Sequence, residues 1–380
     1  MKAFVASHLK ELNRRTVYSV VSSTGETSKA EITRITGISS PTVIKIINHF
    51  IEKGLVIECE RTSDYVDATP PMGRRPNTIA FNKNAAYSVG IEFEGNYLKI
   101  GLVNLAFEMI SFEKIHVADG FEQIFSKTLP SAIRSLISVA DLGKAPILGI
   151  GIGIPSIFDP NSMVIEATPL IGLENRLAAR ELLDRLRRDM NMPVFMENDV
   201  KAAAIGEYWT RGTEVPDLIY ISLGTGFAAG IILDGKLRKG PHNIAGEIGY
   251  LVSGKSKANS ISKTGPMEQM VNIAKVEELL GQPLEHFDKD KKVLRRVQTR
   301  IAAEVAVVIA NLCISLDVSC VVMGGLLSEY FGPTFIAETS ERINELTLME
   351  VRVYPSSRPE PGISGAAHIV MNNSMDILLR

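Results

Sequence analysis

The segment Leu218-Ile-Tyr-Ile-Ser-Leu-Gly-Thr-Gly-Phe-Ala-Ala-Gly-Ile-Ile-Leu-Asp-Gly235 predicts a β-hairpin. Asp234-Gly235 is typical of a two-residue hairpin turn. In the other turn, Gly224 and Gly226 carry no Cβ, and together with Gly230 they leave space for backbone N–H groups to face an anion. Most short Gly-x-Gly segments are only turns, so this segment alone favours an ordinary hairpin.

The hairpin opens the second of two similar halves of the chain. An earlier hairpin pattern spans Tyr87 to Asn104, and in both halves a hairpin is followed by helices and buried strands, the first being Ile147 to Ile154. This alternation predicts an α/β protein with two lobes, and clefts between lobes commonly bind small ligands. The further predicted elements are helices at 121–140, 175–190, 199–209, 265–280 and 290–314, and strands at 78–81, 194–196 and 318–323.

Length and composition indicate a globular protein of two or three domains, since the chain has 380 residues, 45% hydrophobic and 22% charged. No apolar signal core follows Met1, and the apolar run from Val305 to Leu327 contains Asn311 and Asp317. We therefore predict a cytoplasmic protein with no membrane span. The three scattered cysteines predict neither a disulfide framework nor a thiolate metal site.

Charge is distributed unevenly along the chain. Residues 1–83 contain 12 Lys and Arg against 8 Asp and Glu, whereas the remainder contains 29 against 35. A basic front on an acidic body indicates an anionic partner for the front. A difference of this size also arises by chance.

The first 60 residues carry the pattern of a winged helix-turn-helix. Helical spacing of apolar residues predicts one helix, a capping residue near Ser28 begins a second, and Gly37-Ile38-Ser39 makes a sharp turn. Ser40-Pro41 begins a third helix, because serine at the cap and proline at the first position are a strong start signal. In this fold the third helix enters the major groove of DNA. The residues that its exposed face would present to DNA are Ser39, Ser40, Thr42, Lys45 and, further along, His49.

Two alternatives stay open for this region. The same polar face suits a small helical module that binds protein. Gly73-Arg74-Arg75-Pro76 follows in a polar segment rich in helix breakers. Arg74 and Arg75 either reach into a narrow minor groove or are the solvated charges of a hinge.

Six motifs, in order, resemble the ROK family of bacterial sugar kinases and sugar-responsive repressors. The resemblance covers essentially the whole chain and implies an actin-like or hexokinase-like two-lobed body that forms a homodimer or tetramer. Kinases of the family normally lack a winged helix-turn-helix, so its presence points to the repressor branch. The motifs are Gly73-Arg-Arg-Pro76, Gly151-Ile-Gly-Ile-Pro155, Glu197-Asn-Asp199, Leu223-Gly-Thr-Gly226, Ala245-Gly-Glu-Ile-Gly249 and Met323-Gly-Gly325.

The resemblance also implies a sugar site. By similarity, Asn198 and Asp199 bind sugar hydroxyls at the end of a predicted strand, and the matching aspartate in the kinases is the catalytic base. Glu247 and Glu268 match two further sugar-binding carboxylates, and Tyr250 lies beside them in sequence. Each carboxylate alone has a simpler interpretation as an exposed or capping group, Asp199 being a plausible helix N-cap.

Three departures from the family pattern bear on function. Glu92-Phe-Glu94-Gly-Asn96 replaces an Asp-x-Gly-Gly-Thr loop, which puts a carboxylate where it would repel a triphosphate. Tyr250 replaces a histidine that binds a structural zinc and touches sugar, and residues 255–264 contain no cysteine, so no metal is predicted. Ser156 after Pro155 replaces a common glycine near the sugar.

We therefore predict a DNA-binding repressor, with no cofactor and no catalytic residue, whose sugar or phosphosugar effector closes the cleft and alters operator affinity. One alternative is a ROK sugar kinase with an accessory DNA-binding domain, in which Asp199 is the catalytic base. Another is a repressor that responds to a protein partner. The predicted domains are a winged helix-turn-helix at 1–70, a linker at 71–84, a first α/β lobe at 85–200 and a second at 201–380.

Overall fold

Over the residues that it describes, the computed structural model has a mixed α/β fold with four β-sheets, two of them five-stranded. Arg74 and Arg75 lie outside the residues that it describes. The described residues are 6–59, 78–117, 120–166, 168, 171–211, 215–252, 264–287, 291–357 and 360–380.

Three helices and a small antiparallel sheet form an N-terminal unit. The Ser28 hydroxyl caps the second helix by accepting the N–H of Glu31 at 3.2 Å, as the sequence predicts. The third helix has Ser39 at its N-cap, one residue earlier than predicted. The elements are α1 (Ala6–Thr24), β1 (Glu26–Thr27), α2 (Lys29–Thr36), α3 (Ser40–Glu52), β2 (Val56–Cys59) and β3 (Thr78–Phe81), with the sheet order β1-β3-β2.

The first half of the body is built on a five-stranded sheet. The predicted helix at 175–190 begins at Arg180, because the residues just before it pair as a short strand. The strands of the large sheet are β4 (Tyr87–Glu94), β5 (Tyr97–Asn104), β6 (Met109–His116), β7 (Ile147–Ile154) and β11 (Val194–Asn198). A separate small sheet contains β8 (Phe158–Asp159), β9 (Val164–Ile165) and β10 (Leu177–Ala178). The helices of this half are α4 (Phe121–Gln123) and α5 (Leu129–Ser138), joined by a π-helical turn, α6 (Arg180–Met190) and α7 (Asp199–Arg211).

The second half repeats this plan. The predicted helix at 265–280 is broken at Asn272, which has extended backbone and caps the following helix by accepting the N–H of Lys275 at 3.0 Å. Its strands are β12 (Leu218–Leu223), β13 (Phe227–Leu233), β14 (Lys236–Leu237), β15 (Cys320–Gly324) and β16 (Arg352–Pro355). Its helices are α8 (Glu268–Val271), α9 (Ile273–Leu280), α10 (Lys291–Leu316), α11 (Leu326–Phe331) and α12 (Pro333–Leu346).

The two large sheets share one topology, which the repeated sequence pattern predicts. Their orders are β11-β7-β4-β5-β6 and β14-β13-β12-β15-β16. In each sheet, three antiparallel strands are extended by two strands that run parallel to the first strand of the half. Asp199, which follows β11, and Gly325, which follows β15, both line the space between the halves.

The C-terminal helix, α13 (Pro361–Leu379), packs on the first half of the body and reaches the N-terminal unit. Its last turns share one apolar core with that unit, in which Met371 and Leu378 pack with Val17 and Phe50. The domain boundaries stay a prediction, although this packing places α13 beside the first lobe.

One described helix, α10, is long and apolar enough to cross a membrane by length and composition. Its side chains Ile301, Val305 and Ile309 are buried in the core of the second half. A core helix of a folded domain passes the same test, so we draw no membrane assignment from it.

Candidate functional site

Asn198 and Asp199 lie where β11 ends and α7 begins. Asn198 Oδ1 accepts the N–H of Lys201 at 3.0 Å, so the capping role considered for Asp199 belongs to Asn198. Asn198 Nδ2 donates to the backbone oxygen of Ser156 at 3.2 Å and to Asp199 Oδ1 at 3.1 Å. Both the oxygen and the nitrogen of the Asn198 side chain are therefore hydrogen-bonded within the protein. Asp199 lines the cleft between the two halves.

Glu247 is held in place by the glycine before it. Gly246 has φ +92, and a Cβ there would lie 1.9 Å from the backbone oxygen of Ala229, so only glycine fits. The Gly246 oxygen accepts the N–H of Ala229 at 2.7 Å, which fastens this loop to β13. The backbone before Glu247 is thereby held against β13.

Glu268 comes from a third segment, the start of α8. Its Oε2 accepts the N–H of Phe227 at 3.4 Å. Phe227 is the first residue of β13, directly after the glycine turn that joins β12 to β13. Tyr250 ends the short helical turn after Glu247 and is 44% exposed. Residues separated by up to 70 positions in sequence therefore meet around one site.

The pKa values of these groups show that their charges interact. Burial raises the pKa of Asp199 to about 7, and the charge of Glu247 adds to the shift. Burial also raises the pKa of Glu247, opposed by Lys201, and the pKa of Glu268, to which Glu247 contributes. Burial, then Glu268 and Glu247, raise the pKa of Tyr250. The site thus contains carboxylates that accept hydrogen bonds and, when protonated, donate them.

Lys201 is the main site residue that the sequence analysis missed. It is only 2% exposed, its Nζ donates to the backbone oxygen of Asn243, and Nζ lies 4.0 Å from Glu247 Oε1. Asn243 in turn donates to Asp159 Oδ1 at 3.1 Å. These contacts join the two halves beside Asp199. A lysine two residues after Asp199 was the only sequence signal, and helical spacing alone does not distinguish a buried lysine from a solvated one.

Two N–H groups at the glycine turn donate within the protein, so neither is available to the anion site that the sequence predicts. The Gly224 N–H donates to the Gly226 oxygen at 3.0 Å, and the next N–H, of Phe227, is taken by Glu268. The expectation that Gly230 admits a ligand is wrong, because a Cβ there would lie 2.3 Å from Ala204 Cβ. Gly230 instead allows β13 to pack directly on α7.

A cavity of about 770 Å³ extends from Asp199 between the two halves. Glu92 and Glu94 line it. Glu94, however, receives hydrogen bonds from Lys99 at 2.7 Å and Lys114 at 2.8 Å, and Lys99 also bridges to Glu360 at 2.8 Å. Because two lysines neutralise it, Glu94 repels a phosphate less than its position in the sequence suggests.

The fold and the paired halves around this cleft define the class of protein. Residues 88–373 match the ROK family, and the chain belongs to that family.

Among its relatives, the xylose repressor of Caldicellulosiruptor bescii is 26% identical over 89% of this chain and 88% of its own length. The crystal structure of a ROK family transcriptional regulator, a homologue of Escherichia coli Mlc, superposes with a TM-score of 0.78 at 18% identity and covers 98% of both chains. A ROK hexokinase from Thermus thermophilus superposes with a TM-score of 0.63 at 21% identity and covers 76% of this chain and 99% of its own. At these identities the two structures define the fold alone.

Proposed function

We propose that this protein is a sugar-responsive transcriptional repressor. It binds operator DNA through its N-terminal unit and a monosaccharide or phosphosugar in the cleft, and it acts in the cytoplasm as a homodimer or tetramer. The relative named as a xylose repressor supports this class along most of the chain. The observation that carries the proposal is α13, one helix that begins beside the cleft and ends against the N-terminal unit.

The N-terminal unit is, in this proposal, a winged helix-turn-helix with α3 as the recognition helix and β2–β3 as the wing. Ser39, Ser40 and Lys45 are exposed, Thr42 is half-buried, and the hydroxyls of Ser39 and Thr42 are 2.9 Å apart. His49 does not belong to this face, because its Nε2 contacts the Leu379 oxygen at 3.2 Å. Arg74 and Arg75 are proposed to reach the minor groove beside the site that α3 occupies.

The sugar site is proposed to use Asp199 from the first half and Glu247, Tyr250 and Glu268 from the second. Carboxylates on both sides of a cleft can accept hydrogen bonds from vicinal hydroxyls at once, which draws the halves together. Asn198 is a sugar contact by family resemblance, and its hydrogen bonds indicate that it also orients Asp199.

The effector signal is proposed to travel along α13. Glu360 precedes the helix and pairs with Lys99 at the cleft, while Asp376 near its other end accepts two hydrogen bonds from Arg15 of α1, at 3.0 and 2.7 Å. Nineteen helical residues extend about 28 Å. A displacement of the helix start would move α1 and α3, and a coupling free energy of about 1 to 3 kcal/mol suffices to change operator affinity 5- to 150-fold.

A sugar kinase is the alternative that one observation favours. Asp199 faces the cleft with its pKa raised by burial to about 7, which suits a general base. Glu92 argues against it, since this carboxyl group lines the cavity without an ion-pair partner among the described residues, and a triphosphate beside it would require it to stay protonated. We propose that the chain does not transfer phosphate.

Titration of fluorescent operator DNA with the full chain, in the presence of a panel of monosaccharides and their phosphates, tests the proposal. We expect specific binding at moderate salt and a 5- to 150-fold change in affinity with one panel member. Absence of specific DNA binding would overturn the proposal. Specific binding with no response to any sugar would instead support regulation by a protein partner.

The kinase alternative is tested by sugar-dependent release of ADP, with Asp199→Asn as the control. Turnover that disappears in Asp199→Asn would contradict the non-catalytic proposal. We expect no release above that of the variant.

A further inference from the structure

One side of α10 is exposed along most of the helix. Its successive members are three, four or seven positions apart, so they share one side of the helix. The opposite side, which includes Ile301, Val305 and Ile309, is buried in the core of the second half. We call the exposed side the outer stripe, and its residues are Lys292, Arg296, Arg300, Val307, Asn311 and Ile314.

The second half of the outer stripe is mainly apolar, and a neighbouring loop adds to it. Val307 and Ile314 are each 48% exposed. Leu346 ends α12, and Leu348, in the loop that follows, is 99% exposed. This loop leads to β16, whose first N–H donates to the Ser319 oxygen at 2.8 Å, just beyond the end of α10. Single exposed apolar side chains are ordinary, whereas four around the same half of one helix indicate a contact surface.

The two ends of this surface carry opposite charges. Arg296 and Arg300, in the first half of the stripe, form no ion pair with any described residue. Beyond the other end, Asp317, Glu345 and Glu350 are exposed, and they too lack a cationic partner in the described part of the chain. The C-terminus of α10 adds partial negative charge there. We call these three carboxylates the acidic end.

This arrangement of charge is complementary to itself. A two-fold axis that crosses α10 would pair the helix with its own copy in the antiparallel direction. The basic half of each copy would then lie beside the acidic end of the other, with the apolar residues between them. A polyanion such as DNA, or an anionic membrane, fits less well, because the acidic end would repel it. From Lys292 to Ile314 the stripe extends about 33 Å, comparable with the diameter of a small domain.

We propose that the outer stripe of α10, together with Leu346 and Leu348, is the surface through which two copies of this chain associate. The inference rests on the proposed function, which includes a homodimer, and it specifies the surface that the two copies share. Arg296 and Arg300 of each copy face the acidic end of the other. Val307 and Ile314 form the apolar centre of the contact, which excludes water around the charged pairs.

Sedimentation velocity of the full chain over a range of concentrations, without DNA or sugar, tests the proposal. We expect the wild-type chain to dimerise. Val307→Asp and Ile314→Asp should each raise the dissociation constant of the dimer at least tenfold, because each buries two unpaired carboxylates in the contact. Val139→Asp is the matched control, since Val139 ends α5 and is 75% exposed outside this surface. It should leave the dissociation constant unchanged, and circular dichroism checks that every variant is folded.

Charge reversal tests the antiparallel arrangement separately. Arg296→Glu combined with Arg300→Glu should weaken the dimer at least tenfold, and so should Glu345→Lys combined with Glu350→Lys, because like charges then face each other. The chain that carries all four substitutions should recover most of the lost affinity, since opposite charges again meet across the two-fold axis. General damage to the fold would not be repaired by further substitutions.

Several results would overturn this proposal. They are a wild-type chain that remains monomeric throughout, wild-type dimerisation in both Val307→Asp and Ile314→Asp, equal weakening by Val139→Asp, and no recovery in the chain with four reversed charges. A dimer formed through another surface would overturn this inference and leave the repressor proposal to its operator titration. Dimerisation through the outer stripe without specific operator binding would overturn the repressor proposal and support this inference.

Discussion

At the scale of single residues, Asn198 and Asp199 perform separate tasks although they are adjacent. The side-chain oxygen of Asn198 caps α7, and its side-chain nitrogen donates hydrogen bonds to Ser156 and Asp199. Asp199 is left facing the cleft. One asparagine therefore supports both the stability of a helix and the orientation of a carboxyl group that lines the cleft.

Asn198→Ala should lower the free energy of unfolding by about 1 kcal/mol, the usual value of an N-cap, and should also weaken the sugar response. Asn272→Ala is a matched control, because Asn272 caps α9 in the same way at 3.0 Å and makes no side-chain hydrogen bond to Asp199. We expect Asn272→Ala to lose similar stability and keep the response, as measured by denaturant unfolding and operator titration. Equal losses of response in the two variants would contradict a positioning role for Asn198.

The buried carboxyl group of Glu92 should make the free energy of unfolding depend on pH. Burial raises the pKa of Glu92 from 4.5 to about 8, opposed by Lys99 and reinforced by Asp199, Glu360 and Glu94. A carboxyl group with a raised pKa stabilises the folded state most below its unfolded pKa, and this contribution is lost as pH rises toward 8. The wild-type chain should therefore become less stable relative to Glu92→Gln across this range.

We expect Glu92→Gln to exceed the wild-type free energy of unfolding by about 1 to 3 kcal/mol at pH 8 and by much less at pH 5. Denaturant unfolding at both pH values measures the difference. Because Asp199 titrates in the same range, the comparison is repeated in an Asp199→Asn background. A difference that does not grow with pH would show that Glu92 is ionised throughout.

At the scale of elements, α7 and α13 touch without intervening side chains. A Cβ on Gly365 of α13 would lie 1.7 Å from the Ala202 oxygen of α7, and a Cβ on Gly206 would lie 2.2 Å from the Pro361 oxygen. Such contact leaves little space for either helix to move alone. The helix that begins at Asp199 and the helix that reaches the N-terminal unit therefore move together.

Gly365→Ala should destabilise the protein by about 3 kcal/mol or more, because the added methyl group forces the two backbones apart. Gly120→Ala is the control, since a Cβ there meets no atom within 4 Å. Thermal and denaturant unfolding compare the two variants. A near-neutral effect of Gly365→Ala would mean that the helices separate easily, and the proposed coupling would lose its physical basis.

Local signals predicted most elements correctly, and contacts between distant segments account for the errors. Ser28 and Asp234-Gly235 specify a helix start and a turn by their own chemistry, so both appear where expected. The surroundings of Gly230 and Lys201 could not be predicted from neighbouring residues. Gly230 packs on α7, and buried Lys201 donates a hydrogen bond to Asn243, so both depend on segments distant in sequence. The ROK resemblance is sufficient to predict that Asp199, Glu247 and Glu268 share one site. The neutralisation of Glu94, in contrast, depends on Lys99 and Lys114, which no sequence motif marks.

At the scale of the whole molecule, the proposed regulation depends on how α1 is attached to α13. Arg15 and Asp376 form the ion pair at this contact, with side chains 44% and 40% exposed. A pair this exposed contributes about 1 kcal/mol or less to stability. Its removal can therefore be tested without unfolding the protein.

Arg15→Ala and Asp376→Ala should each reduce the factor by which the effector changes operator affinity, and the double variant should match the single ones because both act through one pair. Operator titration with and without the effector measures this factor. Lys275→Ala is the control, since it removes a comparable pair with Glu278 at 2.6 Å on the body. Unchanged factors in both α1 and α13 variants would place the coupling elsewhere.

The apolar core shared by α1, α3 and α13 also sets a rule for protein engineering. Val17 and Phe50 are completely buried only while Met371 and Leu378 cover that side of the unit. A biosensor made by joining the first 84 residues to another ligand-binding body would expose this surface and aggregate. A functional chimera must transplant the last turns of the C-terminal helix together with the DNA-binding unit, although the two are at opposite ends of the chain.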